Sequence, residues 1–243
     1  MFMLLSLGVI GVALNLLVLL DIPILRPPSS SDYPPSGGPV LDDPSLREAV
    51  YLVKVASCSG TEVHQGTAFA VTAEYLITCA HVVSEAQKCG APIRVVDFTG
   101  VDQTADLGGY AEGTDLALLS IHGSAKSVLP LADSTLFESS DKVLRVFTVG
   151  YPLVGAASTE ERSSISSVGV ISQYERANNR FITSGLNVNP GNSGGPVIFE
   201  DVKLVLGVAS AKLSSDVGDG IAYVITSESV RAFFLETTGQ ALE

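Results

Sequence analysis

Basic side chains are scarce in this sequence of 243 residues. Lysine and arginine total 14 against 26 acidic residues, the net charge at pH 7 is -12, and no basic cluster is present. Because nucleic-acid binding depends on lysine and arginine side chains that neutralise phosphates, this balance disfavours nucleic acid as a partner. Hydrophobic residues make up 46% of the chain and charged residues 16%, so the sequence can bury a sizeable core.

The first segment of the chain lacks charge altogether. Residues 2–20 are apolar over about the 20 residues that a membrane-spanning helix needs. No basic residue precedes this run and no small-x-small site ends it, so an uncleaved transmembrane anchor in residues 1–25 is favoured over a signal peptide. A buried helix of a soluble protein is the alternative. The domain that follows is expected outside the cytoplasm, either anchored to the membrane or, after cleavage, secreted.

Residues 26–45 have little to bury and are rich in Pro, Ser, Gly and Asp. This composition predicts a flexible linker, and the folded domain then covers residues 46–243.

Cysteine is scarce too, and Cys58, Cys79 and Cys89 fit no zinc-binding spacing, so we predict no metal site. An exported domain can form a disulfide, which leaves one of three thiols over within a single chain. Pairing of Cys58 with Cys89 is favoured, because Cys79 lies two residues before a histidine that must be held at a packed strand end. Three buried free thiols are the alternative.

Helical periodicity is rare after Glu48, where eleven short apolar runs rich in β-branched residues are separated by Gly, Asp, Ser and Asn. This spacing is typical of an antiparallel barrel or sandwich. Two helices are expected, a short one after His81 that stops at Gly90 and one over residues 227–237 near the end of the chain. The fold class is therefore all-β with a C-terminal helix.

No histidine follows Ser193, which lies in the stretch "NPGNSGGPV". The G-x-S-x-G pattern also occurs in α/β-hydrolases, but in that fold the histidine follows the serine. The subtilisin order would need an aspartate before the histidine, and the acidic residues upstream of His81 lie mostly in the linker. The chain order histidine, aspartate, serine is left.

His81 is the histidine best placed for catalysis, because it stands where an apolar strand ends and a short helix begins. His64 lies in an expected hairpin turn and His122 at the end of an apolar run, so both are interpreted as structural or solvated. Asp115 opens another apolar run, which would fix its carboxylate beside a buried imidazole. We therefore predict His81 as general base, Asp115 as the group that orients it and Ser193 as nucleophile.

Three glycines surround Ser193 in "GNSGG". An oxyanion hole requires the amides of Gly191 and Ser193 to point at one spot, and a chain folded that tightly needs residues free to adopt positive φ. A plain turn would not need all three glycines, so the oxyanion hole is assigned to the Gly191 and Ser193 amides.

Three segments, "GTAFAVTAEYLITCAHVV", "GTDLALLSI" and "NVNPGNSGGPVI", resemble the chymotrypsin-like serine peptidases, and within them the HtrA type. The resemblance implies two six-stranded antiparallel β-barrels with the catalytic residues in the cleft between them. It also implies hydrolysis of peptide bonds through an acyl-enzyme without a metal or cofactor. Exported or misfolded proteins would be the substrates, and many such relatives form homo-oligomers.

The sequence departs from the family pattern in three places. No PDZ module follows before Glu243, so control by peptide binding to such a module is not expected. Asn192 replaces an aspartate that, in digestive relatives, pairs with a new N-terminus, and activity is therefore expected without such clipping. Asn187 stands where trypsin-like relatives place an acid, which disfavours a basic residue at P1, the substrate residue before the cleaved bond.

Ser210, Ala211 and Lys212 are expected to line the substrate-binding pocket opposite Asn187. Small side chains there suggest an aliphatic P1 residue, although Lys212 could attract an acidic one and the segment could equally be plain strand packing. A catalytically silent binding protein on the same fold and an esterase are the alternative functions.

Overall fold

The structure is a computed structural model that describes residues 43–60, 63–133, 143–153, 164–200, 202–210 and 220–242. The predicted N-terminal segment, residues 1–25, and almost all of the predicted linker lie outside these ranges. None of the described helices has the length and apolar character needed to cross a membrane. The helices are α1 (Pro44–Glu48), α2 (Ser84–Cys89) and α3 (Ser227–Thr238), with 3₁₀ helices at Ala80–Val83 and Arg176–Asn178.

Six antiparallel strands close the first barrel in the order β1-β2-β3-β6-β5-β4. Alternating side chains of β1 and β4 point into its core, as expected for strands with one buried face. The strands are β1 (Val50–Ala56), β2 (Val63–Ala70), β3 (Tyr75–Thr78), β4 (Ile93–Val96), β5 (Asp102–Ala111) and β6 (Leu116–Ile121).

The second barrel closes in the order β10-β11-β12-β9-β8-β7. The prediction of two six-stranded antiparallel barrels is therefore confirmed. The strands are β7 (Arg145–Gly150), β8 (Ser164–Glu175), β9 (Arg180–Ser184), β10 (Pro196–Phe199), β11 (Val205–Ser210) and β12 (Ile221–Thr226).

Strand β5 was not among the eleven expected runs, and the structure corrects that omission. Its sequence "DQTADLGGYA" contains little of the apolar alternation that marks a strand, because most of its side chains are exposed or only half-buried. The pairing with β6 also shifts register between Leu107 and Gly109, which breaks the period of two.

The predicted C-terminal helix is confirmed as α3. The Thr226 side chain caps its first turn by accepting a hydrogen bond from the Ser229 amide. Although α3 follows the second barrel in the chain, Phe234 is fully buried and its ring lies edge-on to Tyr75 of the first barrel at 5.5 Å. The helix therefore holds the two barrels together.

One disulfide is present among the described residues, and it joins Cys58 to Cys89. The favoured pairing is thus confirmed, and Cys79 is a buried free thiol. The bond links the turn after β1 to the end of α2. Because α2 continues directly from the 3₁₀ helix Ala80–Val83, the disulfide anchors the segment that carries His81.

Candidate active site

His81 lies in the 3₁₀ helix that follows β3, at the mouth of the first barrel. Its neighbours Val82 and Val83 are buried in the core, whereas the His81 side chain is 46% exposed. The Ala80 amide donates a hydrogen bond to the Asp115 carbonyl at 3.1 Å, which ties this segment to the start of β6. The backbone around the ring is therefore fixed while the ring itself faces solvent.

Asp115 holds the imidazole of His81 on one side. Its Oδ1 accepts a hydrogen bond from the His81 amide at 3.0 Å, and Oδ2 lies 2.9 Å from His81 Nδ1. Asp115 has φ 55, in the left-handed region that side chains other than those of Asn and Asp seldom adopt. A neutral imidazole that donates from Nδ1 keeps Nε2 as a proton acceptor.

The Asp115 carboxylate is ionised at neutral pH. Burial raises its pKa and is the largest single influence, but hydrogen bonds from His81 and Ser210 and the charge of His81 together hold the pKa below its ordinary value. The Ser210 Oγ donates to Asp115 Oδ2 at 2.7 Å. Sequence reasoning assigned Ser210 to the substrate pocket and missed this contact with Asp115.

Ser193 lies in the loop between β9 and β10, where the glycines are required by close packing. A Cβ on Gly194, which has φ +87, would approach the Thr67 carbonyl oxygen to 2.1 Å. A Cβ on Gly191, at φ +96, would lie 2.2 Å from the Tyr151 carbonyl oxygen. The loop can press against β2 and the residues that follow β7 only because these positions carry no side chain.

Two amides of this loop are left open. Asn192, Gly194 and Gly195 donate their amides to backbone carbonyls within 3.0 Å. Among the described residues, by contrast, the amides of Gly191 and Ser193 donate to no partner. Two unpaired donors in a buried loop are the arrangement that an oxyanion hole requires.

The described part of the chain contains no hydrogen bond between the Ser193 hydroxyl and the His81 ring. The two segments nevertheless meet at Gly66 of β2. A Cβ there would lie 2.5 Å from Val82 Cγ1 and 3.1 Å from the Ser193 carbonyl oxygen. The structure thus brings His81 and Asp115 into direct contact. It also places the backbone of Ser193 against Gly66, which packs against Val82, the residue that follows His81.

The remaining predicted residues are placed as follows. Asn187 is exposed, its amide donates to Ser167 Oγ at 2.7 Å, and it neighbours Gly220. Ala211 and Lys212 lie outside the described residues. His64 is exposed in β2, and His122 is paired with Asp106 at 3.2 Å on the surface, in agreement with their structural or solvated interpretation.

Within the part of the chain that the structure describes, two groups of side chains lie close enough together to hold a metal ion. The first, Cys58, Glu85 and Cys89, has both sulfurs in the disulfide. In the second, formed by Cys79, His81 and Asp115, burial, followed by the charge of Asp115, raises the pKa of the Cys79 thiol well above its ordinary value. A protonated thiol is a poor metal ligand, so neither group is prepared to bind a metal in this state.

Comparison with known proteins identifies the family. The trypsin-like peptidase domain matches residues 66–208, which is more than half of the chain and includes His81, Asp115 and Ser193. The chain belongs to the trypsin-like peptidase domain family. The expected resemblance to chymotrypsin-like serine peptidases of the HtrA type is confirmed by the relatives that match this chain.

The serine proteases Do-like HtrB and HtrA of Bacillus subtilis are 34% and 32% identical to it over 167 and 168 residues. These matches cover 64% and 65% of this chain and 34% of each relative. The periplasmic pH-dependent serine endoprotease DegQ of Escherichia coli is 29% identical over 159 residues, 65% of this chain and 33% of DegQ. The chain therefore spans about a third of the length of these curated relatives.

Solved structures share the fold at lower identity. A serine endoprotease from Yersinia pestis superimposes with a TM-score of 0.64 and 23% identity, over 81% of this chain and 65% of that chain. A protease from M. tuberculosis in its active form superimposes with a TM-score of 0.64 and 19% identity, over 82% of this chain and 84% of that chain.

Proposed function

We propose that this domain is a serine endopeptidase that hydrolyses peptide bonds through an acyl-enzyme intermediate on Ser193. His81 acts as general base and Asp115 orients it. The observation that carries the proposal is the ionised Asp115 that holds His81 Nδ1, next to a loop with two unpaired amides.

The chemistry follows from these groups. Ser193 Oγ attacks the substrate carbonyl carbon while its proton passes to His81 Nε2, and the Gly191 and Ser193 amides donate hydrogen bonds to the negatively charged carbonyl oxygen. Asp115 stabilises the resulting imidazolium. His81 then gives the proton to the departing amine. A water molecule next attacks the ester while His81 takes its proton, and return of that proton to Ser193 Oγ releases the carboxylic acid product.

One motion must precede the first step. The Ser193 hydroxyl must come within hydrogen-bond distance of His81 Nε2. Catalytic hydrogen bonds are commonly long or misaligned before substrate binds, so the present geometry is compatible with this proposal.

The proposed substrates are exported or misfolded proteins outside the cytoplasm, reached by a domain that residues 1–25 anchor to a membrane. The Cys58–Cys89 disulfide supports such a site, because disulfides persist in oxidising compartments. The periplasmic relative DegQ points the same way. The uncharged Asn187 next to Gly220 supports the exclusion of basic P1 residues.

A fluorophosphonate probe tests the assignment of the nucleophile in the full 243-residue chain. We expect labelling of the wild type, no labelling of Ser193→Ala, and wild-type labelling of Ser172→Ala, whose exposed hydroxyl donates to Ser184 Oγ. Equal labelling of wild type and Ser193→Ala would contradict the proposal.

A catalytically silent binding protein is the second candidate, and the absence of a Ser193–His81 hydrogen bond among the described residues favours it. Casein hydrolysis separates the two: we expect cleavage that is lost in Ser193→Ala. A short-chain ester that is hydrolysed while casein stays intact would indicate the esterase instead.

A further inference from the structure

We propose that Thr67 of the first barrel is a positioning residue that helps to hold the loop carrying the oxyanion-hole amides of the second barrel; this inference rests on the proposed function. Thr67 lies in β2 and is fully buried. Neither Thr67 nor its strand carries a group that takes part in the chemistry described above.

Every polar group of Thr67 is engaged at the interface between the barrels. Its amide donates to the Ser193 carbonyl at 2.8 Å. Its hydroxyl donates to the Gly191 carbonyl at 2.7 Å and accepts from the Tyr151 amide at 3.1 Å. Its carbonyl accepts the Thr78 hydroxyl at 2.7 Å. Thr67 is therefore held rigidly while it contacts the nucleophile loop twice.

The direction of each amide in this loop follows from the carbonyl before it, because the C=O and N–H of a trans peptide point in opposite directions. The Gly191 carbonyl is turned toward Thr67, so the Asn192 amide points away and donates to the Asn189 carbonyl at 3.0 Å. The Ser193 carbonyl is also turned toward Thr67, and the Gly194 amide donates to the Ala209 carbonyl at 2.8 Å.

The peptide bonds that precede Gly191 and Ser193 are fixed by other backbone groups. The Pro190 carbonyl accepts from the Leu153 amide at 2.7 Å, and the Asn192 carbonyl accepts from the Gly195 amide at 2.9 Å. As a result, the amides that follow these carbonyls, those of Gly191 and Ser193, point away from the loop's own acceptors. They are the two unpaired donors of the candidate oxyanion hole.

Four carbonyls thus set four successive peptide planes, and Thr67 holds two of them. Its hydroxyl is the only side-chain donor among the four, so it is the one contact that a substitution can remove. The fit is close, because a Cβ on Gly150 of β7 would lie 2.8 Å from Thr67 Oγ1.

Thr67→Val keeps the shape of the side chain and removes both the donor to the Gly191 carbonyl and the acceptor of the Tyr151 amide. Loss of one whole oxyanion donor lowers turnover by about 10²- to 10³-fold, so misdirection of the loop is expected to lower kcat by about 10- to 100-fold. KM should stay within about threefold, since the contact affects the transition state and not ground-state binding. Thr67→Ser retains the donor and should stay within about threefold of wild type in kcat.

The experiment measures kcat and KM on fluorescein-labelled casein in the full chain, together with the affinity for an alanine-terminated peptide boronic acid that forms a tetrahedral adduct. Thr183→Val is the matched control, because it also removes a buried threonine hydroxyl that donates to a carbonyl, that of Ala222 in β12 at 3.2 Å. We expect Thr67→Val to lose kcat and boronate affinity in parallel, with Thr67→Ser and Thr183→Val close to wild type.

Retention of kcat within threefold in Thr67→Val would overturn the inference, as would equal losses in Thr67→Ser or Thr183→Val. If Thr67→Val does not fold, Thr67→Ala takes its place with the same expectation. If neither folds while Thr183→Val does, Thr67 has a purely structural role and the inference is overturned. A wild type without Ser193-dependent labelling or cleavage would instead refute the proposed function.

Discussion

Replacement of Asp115 by asparagine tests the proposed mechanism most directly. Asp115 Oδ1 accepts the His81 amide, Oδ2 accepts Ser210 Oγ, and both oxygens lie within 3.0 Å of His81 Nδ1. An asparagine that keeps its carbonyl on the His81 amide must turn its NH₂ group toward Nδ1. The ring then carries its proton on Nε2 and cannot accept one from Ser193.

The size of the effect can be worked from these contacts. Turning the amide over leaves the His81 backbone amide without an acceptor, which costs about 1–3 kcal/mol. Two opposite charges near a protein surface attract by about 4 kcal/mol at a separation of about 4 Å. The His81 side chain is 46% exposed, so solvent screening reduces that attraction to roughly half. The total of about 3–5 kcal/mol corresponds to a loss of about 10²- to 10⁴-fold in kcat/KM.

The assay is steady-state cleavage of labelled casein by wild type, Asp115→Asn and Asp106→Asn, with thermal unfolding of each as a check on folding. Asp106 forms the other histidine–aspartate pair, with His122, but both side chains are more than half exposed. Its replacement should leave kcat/KM unchanged. A folded Asp115→Asn variant with kcat/KM within fivefold of wild type would refute the assignment of His81 and Asp115.

Three further predictions follow from single features of the fold. Because the folded-state pKa of Asp115 is depressed, its contribution to stability is present above the unfolded value of about 4 and is lost as pH falls through the folded value; urea unfolding below pH 4 should therefore narrow the difference in free energy between wild type and Asp115→Asn, and a constant difference would contradict this. Replacing Cys58 and Cys89 by serine opens a loop with a sequence separation of 31 and should lower the free energy of unfolding by about 3–4 kcal/mol relative to the oxidised wild type, as measured by urea titration. The wild type in reductant should show the same loss as the double serine variant. Gly194→Ala places a Cβ 2.1 Å from the Thr67 carbonyl at φ +87 and should cost at least about 2 kcal/mol and abolish fluorophosphonate labelling; a stable, labelled variant would show that the loop is not packed as described.

The sequence was informative where the local patterning is strong. His81, Asp115 and Ser193 each stand beside a buried apolar strand with turn residues around it, so their positions could be predicted from short windows. The same local signals predicted eleven of the twelve strands in the described ranges, the C-terminal helix and the favoured disulfide. β5 was missed because its half-exposed residues and its register shift remove the alternation on which such a prediction depends.

The contacts that complete the site were not predictable in this way. Ser210 meets Asp115 across 95 residues of sequence, and Thr67 meets Gly191 across 124. From the sequence alone, a threonine in an apolar strand is interpreted as ordinary core packing, because its hydrogen-bond partners in the other barrel are unknown. Such long-range hydrogen bonds depend on how two closed barrels dock, and no window of neighbouring residues contains that information.

Residues that would carry out one reaction are divided between two separately closed sheets. His81 and Asp115 belong to the first barrel, and Ser193 with its amides to the second. A nascent chain that has folded only its first half holds a base without a nucleophile. Proteolytic activity would therefore arise only once both barrels have formed and docked.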